Sequence, residues 1–170
     1  MNESFMDHAP EIAAGAWVHP SASVIGRVKV ADEVSVWTGA VIRGDVDRIE
    51  IGRGTNIQDL AVLHPNRDYP VLVGDGVTVG HSAIIHGSRV GSHTLVGMGS
   101  IVMESEIGEY CIVAAGSVVI PGSKVPPRSM VMGAPGKVKR QLTDEECAAL
   151  EASEKDYIKL AGYYRPGGRR

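Results

Sequence analysis

The chain has 170 residues, with 17 Lys and Arg against 20 Asp and Glu and a formal net charge of −3. That length suits one domain with a sizeable core, and the near-neutral balance without a basic stripe argues against a nucleic-acid partner. No run reaches the length needed to cross a membrane, and the start, Met1 to Asp7, lacks the cationic flank and apolar stretch of a secretory signal. Val and Ile number 35 and Gly and Pro 30, yet Phe5 is the single Phe and aromatics make up 5%. A core of β-branched aliphatics punctuated by glycines predicts strands and turns, not a helical bundle. Cys111 and Cys147 lack metal-type spacing, so they are expected to be buried, reduced thiols of a cytoplasmic protein.

Along the chain, aliphatic residues recur six apart at Ile12, Val18, Val24, Val30, Val36 and Ile42. The beat resumes at Ile51, Ile57 and Leu63, at Val73, Val79 and Ile85, and at Val90, Val96 and Val102. A last block runs through Ile107, Val113, Val119, Val125 and Val131, which makes 20 positions. A period of six is neither the 3.6 of a helix nor the 2 of a plain strand. It fits short strands separated by corners, each presenting one aliphatic inward. Three sides close a coil of about 18 residues, and coils stack at roughly 4.8 Å. Twenty positions then give between six and seven coils of an all-β solenoid. A β-sandwich fits poorly, since its strands recur at about 8–12 residues.

The beat ends near Val131, so the solenoid is assigned to residues 1–136 and a C-terminal helical segment to 137–170. Thr143 with Glu146 three residues on is a capping box, and Asp144 and Glu145 suit the positive end of a helix dipole. Cys147, Leu150, Tyr157, Ile158, Ala161 and Tyr164 fall on one helical stripe expected to pack along the coil. The tail from Gly167 to Arg170 is expected to fray.

Breaks in a regular beat mark places where something besides stacking is required. Ile42 to Ile51 spans nine residues, with Arg43-Gly44-Asp45 in the insert, and Leu63 to Val73 spans ten, opening with His64. Ile42, Leu63 and Ile85 are three positions apart in the beat and therefore share one side of successive coils. Arg43, His64 and His86 each follow by one residue, so they form a column pointing outward, with the two histidines on adjacent coils. Two imidazoles so placed can grip one metal ion from the same side. His81 belongs to a different side, in the phase of Gln58 and Asp59 one coil earlier. It completes a three-His site only if another subunit presents it, which predicts a homotrimer with a metal at each interface. Three His ligands leave a fourth tetrahedral position for water, as in catalytic zinc sites, and a dication lowers the pKa of that water to about 7. His8, His19 and His93 have no such company and are expected on the surface; Met98, Met103, Met130 and Met132 are expected to fill gaps.

Arg43-Gly44-Asp45, Thr55-Asn56-Ile57-Gln58-Asp59, His64, and Gly80-His81-Ser82-Ala83-Ile84-Ile85-His86-Gly87 resemble the gamma-class carbonic anhydrases. The resemblance covers roughly residues 12–165. It implies a left-handed parallel β-helix with a C-terminal α-helix, a homotrimer, and a metal held by His64 and His86 of one chain and His81 of the next. It also implies zinc, with Fe2+ or Co2+ competent, and reversible hydration of carbon dioxide to bicarbonate. The family's residues at Arg43, Asp45 and Asp59 link subunits by ion pairs, and the one at Gln58 hydrogen-bonds near the metal water.

The sequence departs from the pattern in two places. The family's long acidic loop after the first metal His, with its proton-shuttling Glu, is here only Pro65 to Pro70, and a second family Glu falls at Val46. This aligns the chain with the short-loop branch, in which a Tyr of the C-terminal helix approaches the metal; Tyr157 is the candidate. Asp68 is expected to be a solvated loop carboxylate. Two other functions stay open. One is a metal-binding thioesterase or a weakly active or non-catalytic homologue. The other is a hexapeptide acyl-CoA acyltransferase, suggested by Gly133-Ala134-Pro135-Gly136-Lys137 and disfavoured by the three-His cluster.

Overall fold

The computed structural model describes residues 1–165; the tail expected to fray lies outside the described residues. The chain winds as a parallel β-solenoid whose coils present three sides. The first side holds the strands that bear His64 and His86, the second holds those that follow the next corner, and both belong to one 12-stranded sheet because Ser23–Val30 and Val41–Ile51 run through that corner. The third side is an 8-stranded sheet running from Trp17–Val18 up to Ser129–Met132, with Lys137–Gln141 as its eighth strand.

The six-residue beat is the inward face of these coils. Of its 20 positions, all but Ile12 and Val18 are buried, and those two pack against the same core cluster. Each inward residue sits directly over its counterpart one coil away: Val24 over Ile42, Ile42 over Leu63, Leu63 over Ile85, Ile85 over Val102. The core is thus three columns of aliphatics stacked at the strand spacing. Burying them removes apolar surface worth about 25 cal/mol per Å² from water.

The solenoid begins earlier than the beat. Strand Asn2–Glu3 pairs in parallel with Val24 and Ile25, so Asn2 occupies the first inward position of a seventh coil. A polar residue on the terminal coil caps the stack where no further aliphatic is needed. The other end is closed differently from expectation. Residues 137–141 form a strand, Lys137–Gln141, antiparallel to Ser129–Met132, and the helix begins only at Asp144. All five residues of that strand are exposed, so it carries no apolar period.

The helix α1 (Asp144–Tyr164) starts at the expected capping box, with Thr143 and Glu146 each satisfying the other's backbone. It runs down one corner of the solenoid and touches coil after coil. Arg128 meets Asp144 at 2.5 Å, Tyr110 donates its hydroxyl to Glu151 at 2.7 Å, and His93 Nδ1 lies 3.1 Å from Glu154. Below them Gly76 and Gly54, both at positive φ, leave room for the Glu154 carboxylate; a Cβ on either would lie within 2.4 Å of it. Further along, Tyr157 packs on Trp37 and Tyr164 on Trp17, and Arg165 reaches the Gly15 carbonyl. A 21-residue helix is about 31 Å long, and six steps between seven coils come to about 29 Å. The helix is as long as the solenoid is tall.

Two expectations need correction here. His93 is not a surface residue: its side chain is 27% exposed, stacked on Tyr110 at 4.9 Å beneath the helix. Met98 and Met132 do not fill gaps in the core either, being 57% and 46% exposed.

Candidate metal centre

The register places His64 and His86 opposite one another on adjacent coils. Their ring centroids are 5.3 Å apart and the planes are tilted by 37°. Both are half-buried on the first side of the solenoid, held by the strands Val62–His64 and Ile84–His86. The nine-residue step of the preceding coil supplies their neighbour. Strand Val41–Ile51 runs through the corner and carries Asp45, whose Oδ1 lies 3.0 Å from His64 Nε2 and whose other oxygen pairs with Arg43. Arg43 and Asp45 are therefore tied to each other and to His64 within one chain.

The protonation states follow from this arrangement. Burial would raise Asp45, but the hydrogen bonds from His64 and Arg43 outweigh it and hold the carboxyl below its ordinary value. Burial pulls His64 below its ordinary value, with Arg43 and His86 adding repulsion that the Asp45 hydrogen bond does not overcome. His64 is thus held neutral at pH 7, the form in which an imidazole nitrogen has a lone pair to give a metal.

His81 lies on the corner that follows Thr78–Val79 on the third side. Its side chain is 47% exposed, and its Nδ1 is 2.8 Å from Asp59 Oδ2. Among the described residues of one chain, no three His, Cys, Asp or Glu side chains converge to hold a metal. The chain brings His64 and His86 together and sets His81 on the neighbouring corner.

Gln58 is 5% exposed and works one step behind His81. Its Oε1 accepts the His81 backbone N–H at 3.2 Å, its Nε2 donates to Asn56 Oδ1 at 3.1 Å, and Asn56 Nδ2 donates to Thr78 Oγ1 at 2.9 Å. In the sequence Asn56 stands out only as part of the Thr55–Asp59 run, and Thr78 not at all. The signal was present: their column runs Trp17, Ser35, Asn56, Thr78, Leu95, Ile112 and Met130, so three buried polar residues, Ser35 among them, interrupt an otherwise apolar series.

A groove of about 370 Å³ opens beside His81. Its floor is Gly80, Gly97 and Ala114, and Met98, Gln58 and Tyr157 stand at its walls. Substituting Gly80 or Gly97 would drive a Cβ into the next coil's backbone at 2.8 or 2.6 Å, so the floor is kept low by the stacking itself. Tyr157 is half-buried, and burial followed by the Asp59 charge pushes its phenol above the ordinary value, so it stays protonated. Tyr157 therefore belongs to the His81 end of the candidate site. Asp68 is an exposed turn residue at φ +66, in the loop closed by the Asn66–Tyr69 bridge, and Val46 is 42% exposed.

The first side also carries an apolar stripe. Val41, Val62, Ile84, Ile101 and Val118 point outward in register on five successive coils, each half-buried. Next to them Met103 follows His86 in its column, and Ile120 is 43% exposed.

No family model matches the sequence. A protein of Methanocaldococcus jannaschii named "Probable carbonic anhydrase" is 46% identical over 151 residues, which cover 88% of this chain and 95% of its own. The mitochondrial gamma carbonic anhydrase 2 of Arabidopsis thaliana is 43% identical over 162 residues; they cover 91% of this chain and 58% of the plant protein, so the chain spans less than two thirds of that relative. Among solved structures, a hexapeptide transferase family protein of Anaplasma phagocytophilum superposes with a TM-score of 0.93 at 38% identity, covering 96% of this chain and 98% of its own.

Proposed function

The chain belongs to the gamma carbonic anhydrase family, and on that premise we propose that it hydrates carbon dioxide reversibly to bicarbonate with a metal held between the subunits of a homotrimer. His64 and His86 of one chain and His81 of the partner subunit would hold that metal, with zinc the first candidate and Fe2+ or Co2+ alternatives. The observation that carries this reading is the pair of stacked imidazoles on adjacent coils, 5.3 Å apart, beside an outward apolar stripe. A stripe of five half-buried aliphatics supports burial against a second copy, and the exposed His81 corner with Met98 and Leu60 is the surface a second copy would bring to it.

The donor set fits a borderline divalent metal. It is all imidazole, His64 is held neutral, and carboxylates already orient two of the three rings, Asp45 at His64 and Asp59 at His81. A divalent cation at such a site supplies hydroxide at neutral pH by lowering the pKa of water from 15.7 to about 7. The chain's own residues do the rest. Arg43 fixes Asp45, Asp45 fixes His64, and Gln58 fixes the backbone of His81. The low apolar floor of Gly80, Gly97 and Ala114 favours approach of an uncharged substrate, and the Tyr157 phenol can donate a hydrogen bond at neutral pH. Unpaired, buried Cys111 and Cys147 favour a reducing compartment such as the cytoplasm.

One observation favours an acyl ligand instead: the same apolar groove would accept a short acyl chain. The experiment separates the two. Metal per chain is determined on one sample, and carbon dioxide hydration is followed on it by stopped flow, with acyl-CoA hydrolysis assayed in parallel. A hydration rate well above buffer and absent in His86→Ala establishes the anhydrase. Full metal loading with thioester turnover and no hydration assigns the site to acyl chemistry.

A further inference from the structure

The second side of the solenoid presents one outward side chain per coil, and these form a single column. Cross-strand partners set Glu11 beside Lys29, Lys29 beside Glu50, Glu50 beside Leu72, Leu72 beside Arg89, Arg89 beside Glu106, and Glu106 beside Lys124. All are exposed except Leu72, which is half-buried. This side is neither the histidine side nor the one covered by α1.

The charge order along the column is − + − 0 + − +. Strict alternation would satisfy neighbours within one chain, since opposite charges on adjacent strands attract. The column instead slips phase at Leu72, and that slip has a consequence between chains. A strictly alternating column of seven, turned end over end, sets like charge on like. With the slip it sets Glu11 against Lys124, Lys29 against Glu106 and Glu50 against Arg89, every pair opposite in sign. The central residue meets its own copy, where any charge would repel itself, and there the chain has the column's one apolar side chain. A twofold contact requires this self-complementarity; neighbour pairing within a chain does not.

The geometry points to a second copy of this chain as the partner of this side, docked antiparallel about a twofold axis through Leu72. A groove of about 800 Å³ runs along the column, lined by Glu50, Leu72, Arg89, Glu106 and Lys124, and gives the partner's side chains somewhere to seat. Within the chain Glu50 pairs with Arg48 at 2.9 Å and Glu106 with Lys124 at 3.8 Å. Among the described residues no ion pair engages Glu11, Lys29 or Arg89, so three of the column's charges are available to a partner. One such side is narrower than a standard interface of roughly 1,600 Å², so the association is weak, favoured at low ionic strength and weakened by salt. It is independent of the histidine side and would join whole assemblies to one another.

Sedimentation at low salt and high protein concentration tests it by the doubling in mass of the smallest assembly. Glu50→Arg alone and Arg89→Glu alone should each weaken the doubling at least tenfold. The double swap should restore it, because the two residues face each other only across the twofold. Within one chain the swap does the opposite, placing the new arginine beside Lys29 and the new glutamate beside Glu106. A second measurement removes dependence on affinity. Leu72→Cys should form a disulfide between chains on mild oxidation, and Lys124→Cys should not, since its copies lie at opposite ends; native Cys111 and Cys147 are buried. Wild-type protein that never doubles together with Leu72→Cys that cross-links no faster than Lys124→Cys overturns the proposal, as does a double swap that associates less than either single variant.

Discussion

Asp45 Oδ1 lies 3.0 Å from His64 Nε2 while the other oxygen of the same carboxylate takes the Arg43 guanidinium. The three residues come from the nine-residue break in the beat and from the coil above it. A regular six-residue step would have carried the chain past this corner without leaving a carboxylate there. The irregular step is thus the structural origin of the histidine's orientation.

Asp45→Asn should therefore keep the fold and loosen the metal. The amide cannot neutralise Arg43 and no longer fixes the His64 ring as a charged acceptor does. Loss of such a partner typically lowers metal affinity by about 10–100-fold. Competition against a chromophoric chelator measures this directly, and an unchanged affinity would assign the Asp45 carboxylate to packing alone.

His81→Ala separates the assembly reading from the fold. The His81 side chain is 47% exposed and contributes nothing to the aliphatic core, so thermal melting without metal should move by no more than about 0.5 kcal/mol equivalent. Metal per chain should fall to background. Stoichiometric metal in this variant would contradict a site completed by a second subunit.

The inward columns were legible because each coil repeats one demand, an aliphatic every sixth residue, and breaks in that demand were equally visible. The same counting puts His64 and His86 side by side. What it could not reach lies where the demand lapses. Asn2 fills an inward position without being aliphatic, and Lys137–Gln141 pairs through its backbone while every side chain faces water. His93 looked unpartnered because its partners, Glu154 and Tyr110, are 61 and 17 residues away in sequence and meet it only once α1 lies along the corner. Asp45's link to His64 depends on how a bulged strand turns a corner, which residue spacing does not encode.

The match between helix length and solenoid height predicts that α1 stabilises the stack as a whole. Leu150 is buried in a cluster with Leu142 and Cys147 against Leu95, Ile112 and Met130, a cluster that spans three coils. Leu150→Ala should cost about 2–5 kcal/mol, the range for deleting a buried leucine, read as a lower urea midpoint. The exposed Lys155→Ala serves as the control and should lie within about 0.5 kcal/mol of wild type.

The start of that helix sets an acid limit on the clamp. Arg140 donates two hydrogen bonds to Glu146, the Thr143 N–H donates a third, and together they hold its carboxyl down to about 2 from 4.5. A carboxyl depressed on folding contributes stability that is whole above its unfolded value and is lost as pH falls through the folded one. The contribution of Glu146 should therefore be intact above pH 4.5 and fade between 4.5 and about 2. Because the group is at the surface the effect is small and is best read at the residue itself, by the carboxyl chemical shift of Glu146 through an acid titration. Arg140→Ala removes the first of the causes and should move that midpoint upward toward 4.5. A midpoint indifferent to Arg140 would mean that the backbone donor of the capping box alone holds the charge, and the strand Lys137–Gln141 would then have no electrostatic part in anchoring the helix it precedes.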